Sequence, residues 1–258
     1  MRSRLVIVSA TGLVAALLGI QLMFTGCRDA RVPSNELYLA ESRNSETVPR
    51  YDVFELSFKH NGIYENNFSD VDVRTIFTSP GGLQHRIQGF FYAADLWKVR
   101  FRPDEPGSWR YSYTFTGAGG FTGQGNGVFR CLPSDQEGSV RPNPENPFRW
   151  IFASGKPFFP VGLEDCVYLR DGRLLGSAID GEDRNHPGRK IAWGEYFSVY
   201  EKAGFNLFRF SQKNCSYSLM DDLDHYRVAE SLATDDLLSS ARKHGFRVMF
   251  GLFGIHGN

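Results

Sequence analysis

The sequence predicts a multidomain β plus α/β chain: a β-sandwich followed by the first three β/α units of an incomplete (β/α)8 barrel. Three observations predict it. Residues 51–142 alternate apolar and polar side chains with period two, the signature of half-buried strands. Gly- and Pro-containing turns interrupt that alternation at short intervals, as in an all-β sandwich. From residue 148 onward the pattern switches to short continuous apolar runs separated by helix-period segments, as expected for parallel strands covered by helices.

The N-terminus reads as an export signal. Arg2 and Arg4 precede an apolar run from Leu5 to Phe24, and Thr25-Gly26-Cys27 follows. This order of charge, apolar core and small residues marks residues 1–26 as a signal peptide. The ending resembles a bacterial lipobox, with Phe24 where Leu is usual. The resemblance implies that Cys27 becomes the lipidated first residue of a protein held in the bacterial cell envelope, at the outer membrane or periplasmic face. An uncleaved membrane anchor is the alternative, because a run of about 20 apolar residues suffices to span a bilayer. Both readings export the rest of the chain. Residues 28–50 are polar and aperiodic, and read with Cys27 as a flexible tether.

The sandwich is expected over residues 51–142, with strands near 51–58, 70–77, 87–92, 97–101, 109–115 and 127–132. Six glycines at 117, 119, 120, 123, 125 and 127 invite comparison with a phosphate-cradling loop. Their spacing is not G-x-G-x-x-G, and no Lys-Ser/Thr pair follows, so a long hairpin is expected instead. Trp109, Tyr111 and Tyr113 share one strand face, where they serve as packing residues or, alternatively, as a sugar platform. Phe101-Arg102-Pro103, Pro106-Gly107-Ser108-Trp109-Arg110-Tyr111, Gly127-Val128-Phe129 and Gly138-Ser139-Val140 carry a resemblance. About 90 residues here are similar to the immunoglobulin-like domain of unknown function that precedes glycoside-hydrolase barrels in bacteria.

In the second part, residues 148–258, the run 158–163 reads as a first strand. Trp193, Tyr196, Phe197 and Tyr200 recur at helical spacing, and Gly204 closes that helix. A second strand is expected at 205–210. A second helix is expected at 235–244, with Thr234 as N-cap and Gly245 as terminator, and a third strand at 246–253. A (β/α)8 barrel needs about 250 residues. The chain therefore reads as the N-terminal fragment of a longer protein; a complete three-stranded α/β domain is the alternative, with poorly covered strand edges.

Lys156-Pro157-Phe158-Phe159-Pro160-Val161-Gly162, then Trp193, then Ala203-Gly204-Phe205-Asn206-Leu207-Phe208-Arg209, resembles the opening of clan A-like glycoside hydrolases, including apiosidase-like ones. The resemblance implies that Arg209 hydrogen-bonds a nucleophilic carboxylate; a structural salt bridge is the plainer role for it. It implies that His256, beside Asn258 after the third strand, contacts substrate or a carboxylate, against the reading of an ordinary loop histidine. Glu164 and Asp165, at the first strand end, would hydrogen-bond sugar hydroxyls. The catalytic acid/base and nucleophile follow the fourth and seventh strands in that family. No catalytic residue is therefore expected within these 258 residues. Glu164 and Asp165 do not replace the pair, since adjacent strand residues point opposite ways.

Composition excludes other classes. With 29 basic and 29 acidic side chains the net charge is zero, which gives no electrostatic footprint for nucleic acid. Four cysteines are too few for a disulfide scaffold; Cys166 and Cys215 either pair or stay as free thiols. No Cys-x-x-Cys and no Gly-x-Ser-x-Gly occurs. Residues 180–186 are acidic but lack calcium-loop spacing, and read as a solvated insertion. No cofactor and no metal site is expected. The function expected is that of the N-terminal part of an exported, lipid-anchored glycoside hydrolase acting on an oligo- or polysaccharide, inactive as a fragment. The alternative is a non-catalytic glycan-binding or structural surface lipoprotein.

Overall fold

The computed structural model describes residues 36–165, 167–170, 173–176, 192–211, 219–220 and 226–251. The export signal, Cys27, Cys166, the 180–186 insertion, Cys215, His256 and Asn258 lie outside the described residues.

Nine strands come first: β1 (Leu39–Arg43), β2 (Thr47–Pro49), β3 (Phe54–His60), β4 (Val71–Thr78), β5 (Gln84–Gln88), β6 (Phe90–Ala93), β7 (Leu96–Phe101), β8 (Gly107–Gly117) and β9 (Thr122–Leu132). They form a four-stranded sheet, β1-β3-β7-β6, and a five-stranded sheet, β2-β9-β8-β4-β5. The period-two pattern sends alternate side chains into one shared core. Phe54, Leu56, Phe58, Trp97 and Val99 from the first sheet meet Phe77, Trp109, Phe115 and Phe129 from the second. Phe54 stacks on Phe129 at 3.8 Å, and Phe77 on Phe101 at 4.3 Å. Each such buried ring contributes about 1.5–3 kcal/mol through removal from water. The polar ends of the two core indoles are satisfied: Trp97 donates to the Asn67 carbonyl and Trp109 to the Glu105 carbonyl.

Two polar features complete this core. His60 is fully buried, with Nδ1 donating to the Tyr38 carbonyl at 2.5 Å and Nε2 accepting from the Tyr64 hydroxyl at 2.7 Å. A carbonyl can only accept, so the Nδ1–H tautomer follows. The second feature is a strip of glycine on β9. Gly123, Gly125 and Gly127 stand opposite Phe115, Tyr113 and Tyr111 on the inner face. A Cβ at Gly125 would come within 2.6 Å of the Tyr113 hydroxyl, and one at Gly127 would overlap the Tyr111 ring. The glycines are thus the space into which the two tyrosines lie. The Tyr111 hydroxyl donates to Glu41 of β1 at 2.5 Å, closing the sandwich edge.

The segment expected as a tether is corrected in its second half. Residues 39–43 pair antiparallel with β3, and residues 47–49 pair parallel with β9. Both are short edge strands; the polar, mostly exposed sequence of β1 hides its pairing, and β2 is only three residues long, with Val48 buried in the core.

The remaining elements are β10 (Val140–Asn143), β11 (Asn146–Phe152), β12 (Pro157–Phe158), β13 (Gly162–Glu164), β14 (Val167–Arg170), β15 (Arg173–Gly176), α1 (Trp193–Lys202), β16 (Leu207–Ser211), α2 (Val228–Lys243) and β17 (Arg247–Gly251). They overturn the expected fold class. The described chain is mostly β, in five separate sheets with two helices, and contains no (β/α)8-barrel units. The expected first strand, 158–163, is split: Phe158 ends an antiparallel sheet with β11, and parallel pairing begins only at Gly162. Pro160, which has no N–H to donate, stands at the break. An antiparallel hairpin, β14–β15, then follows β13 before α1. The parallel sheet, β13-β16-β17, is three strands wide.

Trp193, Tyr196 and Phe197 of α1 and Leu237 and Ala241 of α2 cover one face of that sheet, against Phe208 and Phe210. Gly204 and Gly245 follow the helices with φ of +85° and +75°, a conformation glycine adopts at no steric cost. The second helix begins earlier than expected, at Val228. Thr234 lies inside it and donates its hydroxyl to the Glu230 carbonyl at 2.7 Å instead of capping the end.

Candidate functional site

The candidate residues meet on β13 and β16. Parallel pairing sets Glu164 opposite Arg209, and Met249 of β17 lies next in the same row. Positions along β16 alternate: Phe208 and Phe210 face the helices, so Arg209 faces the other side, which is uncovered among the described residues. Arg209 Nη1 donates to Glu164 Oε2 at 2.9 Å. Their side chains are 46% and 55% exposed, so the pair is a solvated one of small energetic value.

Asp165 is on the other side. It is 7% exposed, and its Oδ2 accepts from the Tyr196 hydroxyl of α1 at 3.1 Å. Its backbone N–H donates to the Arg209 carbonyl at 3.1 Å, continuing the sheet ladder by one residue. Burial, then the Asp165 carboxylate, pushes the Tyr196 phenol upward, so it remains a donor at every physiological pH. Thus Glu164 and Arg209 come together, while Asp165 anchors the first strand end to α1. The two carboxylates lie on opposite faces, an arrangement that cannot flank one glycosidic bond. Arg209 and Glu164 can hydrogen-bond a polar ligand on the uncovered face. His256 and Asn258 lie outside the described residues.

A second polar cluster joins the sandwich to α2. Arg100 of β7 donates from Nε to Glu55 at 2.8 Å, and from Nη1 and Nη2 to Asp235 of α2 at 2.8 and 2.6 Å. Lys98 completes it with a 2.8 Å bond to Glu55. Burial disfavours the Arg100 charge, but the hydrogen bonds of Asp235 and Glu55 outweigh it and raise its pKa. Arg242 of α2 adds a bond to Asp52 at 2.7 Å. None of these residues stands out in the sequence. Lys98 and Arg100 occupy the polar positions of an alternating strand, and their partners lie far away in the chain. Among the described residues, no group of three or more His, Cys, Asp or Glu side chains is placed to hold a metal, and no helix is long and apolar enough to cross a membrane.

The aromatic residues with two possible roles have one place. Trp109, Tyr111 and Tyr113 are all buried in the sandwich core, where they pack.

Residues 47–116 match the family described as a domain of unknown function (DUF5060). No curated protein sequence matches the chain. Among solved structures, the chain is similar to a "putative glycoside hydrolase" from Bacteroides vulgatus, at 18% identity and TM-score 0.59. That likeness covers 80% of this chain and 41% of the Bacteroides protein, so this chain spans well under half of its neighbour's length. A DUF4785 family protein from Legionella pneumophila matches at 16% identity and TM-score 0.31, over 37% of this chain and 29% of its own. CopC from Methylosinus trichosporium matches at 12% identity and TM-score 0.30, over 39% of this chain and 98% of its own.

Proposed function

We propose that this chain is the N-terminal part of an exported, lipid-anchored glycoside hydrolase acting on an oligo- or polysaccharide. The observation that carries the reading is the fold shared with the Bacteroides vulgatus protein over 80% of this chain but 41% of that one. The DUF5060 match within the sandwich accompanies it. In this reading the described residues supply the sandwich and one ligand-facing strand end, bearing Glu164 and Arg209. The acid/base and the nucleophile belong to chain beyond residue 258, and the 258-residue polypeptide does not hydrolyse glycosides. Cys27 carries the lipid.

The test is to sequence the reading frame past codon 258 and express its whole product. Release of reducing sugar from a polysaccharide panel by that product, and none by the 258-residue chain, is the expected result. Turnover by the 258-residue chain overturns the placement of the carboxylates. A stop at codon 259, or an inactive longer product, overturns the hydrolase reading. Incorporation of labelled palmitate, lost in Cys27→Ser, tests the anchor; equal labelling of both overturns it.

A further inference from the structure

We infer that the junction between the sandwich and α2 is a sugar-binding site, separate from the strand end that carries Glu164 and Arg209. A cavity of about 350 Å³ opens there, within the size range of small-molecule sites. One wall is aromatic: Phe68 lies 4.9 Å from Phe91, edge to face, and 5.0 Å from Tyr226. Phe90 and Tyr226 are 39% and 44% exposed, so both rings are open to solvent beside half-buried Phe68 and Phe91. Asp235 and Ser231 line the cavity from α2.

Charge and geometry select the occupant. A cationic ligand would sit beside two resident cations, since Lys98 Nζ lies 3.8 Å over Tyr92 and Arg100 lies 5.3 Å from the Phe90 centroid. An anionic ligand would need spare positive charge, but Lys98 and Arg100 are matched one for one by Glu55 and Asp235. What remains is a neutral, amphipathic space. It has ring faces for a C–H surface and acceptors for hydroxyl protons. Asp235 accepts one bond per oxygen from Arg100, leaving a lone pair on each. Ser231 donates to the Arg227 carbonyl and keeps its oxygen as an acceptor. A neutral pyranose, with an apolar face and a rim of hydroxyls, has that complementary chemistry. The inference rests on the carbohydrate reading above and adds a site to it that is distant in sequence from the strand ends.

The test uses the full 258-residue chain in detergent, with neutral gluco-, xylo-, manno- and galacto-oligosaccharides and a polygalacturonate as probes. Affinity electrophoresis and saturation-transfer NMR read binding. The expected result is binding of at least one neutral probe, weakened about tenfold or more in Tyr226→Ala and Phe90→Ala and unchanged in Gln124→Ala, an exposed residue of β9 outside both sites. Ser231→Phe, which fills the cavity without removing a ring, should abolish binding as well, and circular dichroism checks that each variant folds. Equal binding by wild type and cavity variants overturns the site and leaves the carbohydrate reading intact. Binding of the uronate alone, or of no probe, also overturns the site. The hydrolysis assay on the longer product decides the carbohydrate reading independently.

Discussion

Arg100 and Asp235 are held by two parallel hydrogen bonds, 2.8 and 2.6 Å long, between a strand of the sandwich and a helix of the following segment. The fork geometry matches guanidinium to carboxylate, and the third guanidinium bond to Glu55 fixes the fork's orientation. The sandwich and α2 are therefore joined by a directional contact and not by apolar packing alone.

That contact should be measurable by a double-mutant cycle. Arg100→Met and Asp235→Asn, singly and together, are expected to give a coupling of about 1–2 kcal/mol in urea unfolding, above the usual value for an exposed pair because the geometry is bidentate. Coupling within error of zero would show that the pair is incidental.

The glycine strip predicts a size limit on β9. Gly125→Ala and Gly127→Ala each force a methyl against a tyrosine ring and should cost about 1–3 kcal/mol. Gln124→Ala, on the exposed face of the same strand, should stay within about 0.5 kcal/mol. Thermal and urea unfolding of the three variants test this; equal effects at 124 and 127 would refute it.

Asp165 and Arg209 neighbour each other in the sheet but should differ in weight. Asp165→Ala removes a buried acceptor of the Tyr196 hydroxyl, at a cost of about 1–3 kcal/mol. Arg209→Ala breaks a solvated pair and should cost less than about 1 kcal/mol. A larger loss for Arg209→Ala would make it a structural residue and remove it from the ligand-facing set.

Cys131 gives a pH prediction. Burial raises its thiol pKa to about 11, with Arg50 opposing weakly. At pH 8 the folded chain should leave Cys131 unmodified by iodoacetamide, while unfolded chain reacts; peptide mass mapping reads the site. The folded pKa lies above the unfolded value of about 8.5, so folded chain keeps the proton that unfolded chain releases. Stability from this group is complete below that value and falls as pH rises towards about 11. Cys131→Ala should flatten the alkaline limb of the stability profile.

Legibility in the sequence followed the range of the interactions. Strands 54–60, 71–78, 96–101 and 107–117 follow from period-two alternation, because one face of each lines a single core. The glycine-rich stretch was legible as a hairpin, but the pairing of Gly125 with Tyr113 and Gly127 with Tyr111 depends on register, which the glycines do not specify. β1 is hidden by its polar composition and β2 by its length of three residues. The barrel expectation failed at Pro160, where the apolar run 158–163 changes sheets, and at β14–β15, whose hairpin carries no helical signal. Alternation places Glu164 and Asp165 on opposite faces, and the structure has them so. The Glu55–Arg100–Asp235 cluster was not legible, because its charged residues resemble any solvated strand or helix face until the chain folds back on itself.

The pairing of β2 with β9 sets an order of events during synthesis. Thr47, Val48 and Pro49 leave the ribosome before β3, yet their hydrogen-bonding partners are Arg130, Cys131 and Leu132. Until those residues emerge, Val48 has no core to enter, and the segment must cross any membrane or meet any chaperone as an open strand. Such non-local closure is the slow kind. The first sheet can assemble around β3 as soon as β7 is made, but the second must wait for the end of β9 before β2 can join it. A nascent chain stalled before residue 130 would therefore hold every strand of one sheet while β2, an outermost strand of the other, still had no partner.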